Sequence, residues 1–180
     1  MLFRSVHEII DAIYKPHTNW EGLSYGQLAL LFITYVLYCL THRLCGMEAW
    51  LVKHKTVIEQ VTGWEIDPKN ATDDRLGKLI EVLGKDEDKS TEFQLQMGRH
   101  LIHAYDLPTK IARYDLTSFN VYHKQENSED GLLHHGHSKD HRPDLLQFKQ
   151  SLGAIDPAGI PLITETIRGN EADDRYYVPA

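Results

Sequence analysis

The stretch IARYDLTSFNVYH, residues 111 to 123, changes the rhythm of this chain. Before it, apolar residues recur every three or four positions. Within it, β-branched and aromatic residues dominate. Ile111, Phe119 and Val121 fall on one face of an extended segment, and Ala112, Tyr114 and Leu116 on the other. Apolar side chains on both faces suit a central strand covered on two sides.

Downstream the strand pattern continues. LLQFKQSLGAID, residues 145 to 156, alternates, with Leu146, Phe148, Leu152 and Ala154 on one face. Asp156-Pro157-Ala158-Gly159 predicts a type I turn, with Pro second and Gly fourth, and IPLITETIRG predicts a third strand antiparallel to the second. After Gly169-Asn170, the pair Asp173 and Asp174 reads as the start of a helix. Strands with two apolar faces need helices over them, so these elements read as an unfinished domain.

Upstream the period is helical. Leu2, Val6, Ile9, Ile10 and Ile13 share a helix that Pro16 ends. Ser24 and Gln27 form a capping box ahead of LALLFITYVLYCL, residues 28 to 40. That run is shorter than the ~20 residues a membrane crossing needs, so it predicts a buried core helix. Met47, Trp50, Leu51, Val57, Ile58 and Val61 predict a third helix closing at Gly63. Thr72 caps a fourth, with Asp73 and Asp74 at its positive end. Phe93, Leu95, Met97, Leu101 and Ile102 predict a fifth, after a solvated KDEDKS stretch at 85 to 90. The fold class is therefore α+β, with a helical domain over residues 1–107 and the start of a second domain over 108–180.

The 180 residues carry a formal net charge of −7. Residues 1 to 109 hold 11 Lys and Arg against 15 Asp and Glu, and the remainder 8 against 11. Neither half is a basic nucleic-acid footprint, so DNA contacts must come from local patches. Two cysteines, Cys39 and Cys45, are too few for a disulfide framework or a cysteine zinc site, which suits a reducing cytosol. Arg4, His7, Glu8 and Asp11 interrupt the early apolar residues, so the chain does not open with a signal peptide.

Two groups of residues stand out chemically. Asp115 lies mid-strand, where a carboxylate needs compensation. Either it occupies an edge or pairs with Arg113, or it is a hard-oxygen ligand for Mg²⁺. GHSKDHRPDLLQFK, residues 136 to 149, crowds His137, Lys139, Asp140, His141, Arg142 and Asp144 around Pro143. His134 and His135 extend the histidine cluster and invite a zinc reading, but no cysteine is near and Lys139 and Arg142 repel a cation. A phosphate-contacting loop fits better: Lys139 and Arg142 supply charge and forked donors, and Pro143 stiffens the turn. The competing reading is a solvated hairpin.

YDLTSF, GHSKDHRPDLLQFK, the DPxGxPL of Asp156 to Leu162 and the terminal GNEADDxxYxPA occur in that order. With NWEGLSYGQLA, HRL and TDDRLGKLIEVL upstream, they resemble the DDE-type transposases of bacterial insertion sequences, in the IS4-like group. The resemblance implies a helical N-terminal domain followed by the first three strands of an RNase H-like catalytic domain, truncated. It implies that Asp115 is the first carboxylate of the Asp-Asp-Glu triad, holding Mg²⁺ or Mn²⁺ for strand cleavage and transfer. It places the loop of His137, Lys139, His141 and Arg142 beside that site, within reach of DNA. The second Asp and the Glu of the triad are absent, and Asp173 and Asp174 precede the helix that would lead to them. The implied partners are insertion-sequence ends, with full-length transposase or self-association, and no membrane. The implied location is the bacterial cytoplasm, at the nucleoid. The alternative is a non-catalytic regulatory protein that binds element DNA or intact transposase.

Overall fold

The computed structural model describes residues 2–122, 131–137 and 141–173, with side chains from Val6 onward. The protein is α+β and divides into two compact units, Met1–Met97 and Gly98–Ala180.

The helical unit holds α1 (Leu2–Ile13), α2 (Tyr25–Cys39), α3 (Met47–Thr62), α4 (Asp73–Lys85) and the first part of α5 (Glu87–Tyr105). Its helix ends are set by local chemistry. The Gln27 amide donates to Ser24 Oγ at 3.1 Å, while the Ser24 amide donates to Gln27 Oε1 at 2.9 Å, which completes the capping box. Ser24 Oγ also donates to Asp11 Oδ2 at 2.6 Å, and the Gly26 amide donates to Asp11 Oδ1 at 2.7 Å. A carboxylate from α1 thus sits at the positive end of α2, where it satisfies an orphan amide and complements the helix dipole. Gly26 is required there, because a Cβ would stand 2.1 Å from the His7 carbonyl oxygen. Gly63 closes α3 at φ +73°, donating to the Glu59 carbonyl at 2.8 Å. Thr72 Oγ1 accepts from the Arg75 amide at the start of α4.

Leu28, Met47, Leu51 and Leu76 are wholly buried in one core with Tyr14, Tyr35, Ile66 and Leu79. Each such aliphatic side chain contributes roughly 1.5–3 kcal/mol on removal from water. The expectation of a buried α2 holds for its first half and for Tyr35. Leu37, Tyr38 and Leu40 are 66%, 67% and 89% exposed. The run is apolar all round, so it has no polar face to turn outward when packing covers one side.

The sheet comprises β1 (Ala112–Val121), β2 (Leu146–Ile155) and β3 (Ile160–Arg168), antiparallel in the order β1-β2-β3. Chain order dictates this meander, as each strand pairs with its sequence neighbour. Asp156 to Gly159 turn β2 into β3, with a cis Asp156–Pro157 bond and Gly159 at φ +63°. The expectation that the first strand is central is corrected: β2 is central and β1 lies at an edge of this sheet.

The covered face also differs from expectation. Leu146, Phe148, Leu152 and Ala154 do share a face, but Leu152 is 49% exposed there, and Phe119 beside them 47%. The buried positions of β2 are Gln147, Lys149, Ser151, Gly153 and Ile155. Alternation determines which residues share a face, whereas later packing determines which face is covered. Gln147 Nε2 donates to the carbonyls of Gly169 at 2.8 Å and His137 at 3.1 Å. Lys149 Nζ donates to the Glu171 carbonyl and to Asp173 Oδ1, both at 2.6 Å. Ser151 Oγ accepts from the Glu165 amide at 3.0 Å. A polar row can be buried because these partners replace water.

Candidate metal and phosphate contacts

Asp115 is exposed on β1, opposite Leu152 of β2, and its Oδ1 accepts from the Leu116 amide at 2.9 Å. The neighbour expected to neutralise it does not: Arg113 donates instead to Asp156 at the β2–β3 turn. An edge position and solvent supply the compensation that a mid-strand carboxylate needs. Asp115 shares its sheet face with Phe119 and Phe148, whose rings stack at 5.2 Å between centroids and 17° between planes. Among the described residues, no three His, Cys, Asp or Glu side chains stand together to hold a metal. Asp115 offers a hard carboxylate oxygen that suits Mg²⁺ or Mn²⁺ as one donor of a larger set.

The loop residues fall at separate places. His137 and His141 are exposed, and His141 adopts the left-handed region at φ +57°. The carbonyl of His137 accepts from Gln147, so the backbone of this exposed residue is engaged. Lys139 lies outside the described residues, as does Asp174. His134 is anchored through its backbone: its amide donates to the Gln147 carbonyl at 3.0 Å, and the Gln147 amide donates back at 2.9 Å. Its ring Nε2 is 2.8 Å from the Gly131 carbonyl. That contact occupies Nε2 and leaves Nδ1 as the ring nitrogen open to a ligand.

Arg142 is the best-defined cation of the loop. Its Nε donates to Asp144 Oδ1 at 2.8 Å and its Nη2 to Asp144 Oδ2 at 2.7 Å. Its guanidinium carbon lies 5.9 Å from the centre of the Tyr122 ring. The hydrogen bonds to Asp144 push the Arg142 guanidinium pKa up. The same bonds hold the Asp144 carboxyl below the ordinary aspartate value. Sequence reasoning placed Arg142 in the loop but missed both Asp144 as its partner and Tyr122 as its neighbour. The opposite charges on either side of Pro143 were the available signal. The Lys149–Asp173 pair was also missed: Asp173, read as a helix-cap residue, also accepts from a buried ammonium.

The chain matches no family model, no curated protein and no solved structure. Among the described residues no single helix is long and apolar enough to cross a membrane.

Proposed function

We propose that this chain is the helical domain and the first part of the RNase H-like catalytic domain of a DDE-type transposase. Asp115 is the first metal-holding carboxylate in this reading, and the loop carrying His137, Lys139, His141 and Arg142 contacts DNA phosphate. The observation that supports it most is the position of Asp115: an exposed, unneutralised carboxylate in the middle of the first strand, following a helical unit. Its side chain can hold a cation without competition from Arg113, which is committed to Asp156.

When bound, a pair of divalent cations supplies activation of water or a 3′-hydroxyl and stabilises the leaving oxygen. This chain's contribution is one carboxylate on a hydrogen-bonded strand, held in place by the Leu116 amide. One carboxylate holds Mg²⁺ weakly, because that ion keeps its waters and needs several ligands. The chain by itself is therefore inactive in this reading. Its partners are insertion-sequence ends and intact transposase, in the bacterial cytoplasm at the nucleoid.

The deciding experiment is strand cleavage of element-end DNA by the complete enzyme carrying Asp115→Asn. Cleavage should be abolished while DNA binding is retained; surviving cleavage removes Asp115 from the site. Incubation of the chain alone with the same DNA and Mg²⁺ or Mn²⁺ should give no nicking. A second reading, a non-catalytic regulator that binds intact transposase, draws on the exposed Leu37, Tyr38 and Leu40 of the helical unit. Mobility shifts with element ends, with and without intact transposase, separate the two.

A further inference from the structure

We infer that Asp144 is a built-in competitor for the phosphate at Arg142, setting how strongly the 141–145 turn binds DNA. This rests on the phosphate-contact reading of the loop given above. The carboxylate meets the guanidinium fork to fork, Nε to Oδ1 at 2.8 Å and Nη2 to Oδ2 at 2.7 Å. That arrangement is the one a phosphate adopts on arginine, with two parallel donors on two oxygens. The edge best suited to a DNA phosphate is thus already filled by an anion from two residues away.

The pair has no core to support. Arg142 and Asp144 are 44% and 61% exposed, and the turn has its own closure, the Leu145 amide donating to the Arg142 carbonyl at 3.1 Å. Tyr122, 75% exposed, lies beneath the guanidinium, so the cation keeps a platform when the carboxylate leaves. The carboxyl of Asp144 is held low by Arg142, so the competitor stays ionised through the neutral range. Exposed ion pairs are weak, so a strand of phosphates can displace Asp144 at a modest cost in affinity. Asp144 accordingly acts as a threshold on binding and leaves the contact possible.

The test is a double-mutant cycle on the full chain, read by anisotropy with a labelled mixed-sequence duplex over a salt series. Circular dichroism checks that each variant is folded. Asp144→Asn should tighten binding by up to about fivefold, the range an exposed ion pair allows. Asp144→Ser, which keeps an acceptor for the turn, should do the same. Arg142→Gln should weaken binding and flatten the salt dependence by about one phosphate contact. In the Arg142→Gln background, Asp144→Asn should have no further effect. Equal tightening in both backgrounds would mean general loss of negative charge and overturn the inference. If Arg142→Gln weakens binding but neither Asp144 variant changes it, only the competitor role fails. If Arg142→Gln leaves affinity and salt slope unchanged, or the parent chain does not bind the duplex, the phosphate-contact reading fails with it.

Discussion

In the helical unit the side chains with no exposure include Leu28, Met47, Leu51 and Leu76, whereas along β2 they are Gln147 and Ser151. The helical core and the polar row of β2 therefore use different means to exclude water. An aliphatic core depends on volume and tolerates exchange of one shape for another of similar size. A buried polar row depends on each donor meeting its acceptor, since an unmatched group keeps its full desolvation cost. Even within the row one atom is left over: Gln147 Oε1 is buried without a partner.

The largest predicted effect tests the aliphatic side. Leu51→Ala should cost roughly 2–5 kcal/mol, measured by urea unfolding followed through tryptophan fluorescence. All three tryptophans, Trp20, Trp50 and Trp64, lie in the helical unit and report on it alone. Leu152→Ala, at a position 49% exposed, should be far milder when sheet stability is followed by hydrogen exchange. A comparable loss at Leu152 would show that its sheet face is a true core and dissolve the contrast.

Next comes the polar row. Asp173→Ala leaves the Lys149 ammonium, 6% exposed, hydrogen-bonded to the Glu171 carbonyl but without its carboxylate, and should cost about 1–3 kcal/mol. Adding Lys149→Met should recover part of that loss, because the stranded charge goes with it. Amide exchange along β2 and β3 provides the measurement. If the double variant is worse than the single, Lys149 has a role besides neutralising Asp173.

A smaller effect belongs to the α1–α2 junction. Asp11→Ala removes the acceptor for Ser24 Oγ and the Gly26 amide, and should cost about 1 kcal/mol in the tryptophan-reported transition. The smallest concerns the loop. The Asp144 carboxyl titrates below the ordinary aspartate value because Arg142 binds its charged form. Its folded pKa is depressed, so its stabilising effect is present above the ordinary value and lost as pH falls through the lowered one. Carboxyl NMR should find that midpoint, and Arg142→Gln should return it to the ordinary range.

The sequence revealed what is local. Ser24, Gly63 and Thr72 act within a turn of themselves, and their caps lie where the residue types place them. The strands and their internal parity were readable for the same reason. Coverage was not: alternation groups Leu146 with Phe148, but only the packing of distant segments buries Gln147 and Lys149 instead. Lys149 and Asp173 are 24 positions apart, beyond the reach of any periodicity. Strand order escaped notice too, since apolar residues on both faces of β1 suggested a central position that β2 occupies. At the candidate site, Asp115 and Arg142 were visible as unusual residue types in unusual places. The partners that define them, Asp156 holding Arg113 away and Asp144 holding Arg142, are statements about geometry.

The reciprocal backbone bridge between His134 and Gln147 also changes the polymer physics of the connection from β1 to β2. Without it, the chain from Val121 to Leu146 would be a single long excursion. Clipped at His134, the connection is divided into two spans, residues 122–133 and 135–145, each shorter than the whole. The entropy of closing a loop grows only as the logarithm of its length, about 0.6 kcal/mol per doubling. Residues inserted on either side of the bridge should therefore be nearly neutral for stability. Replacing Gly169, where a Cβ would stand 2.0 Å from the Gln147 carbonyl oxygen, would wedge the bridge apart and rejoin the two loops into one.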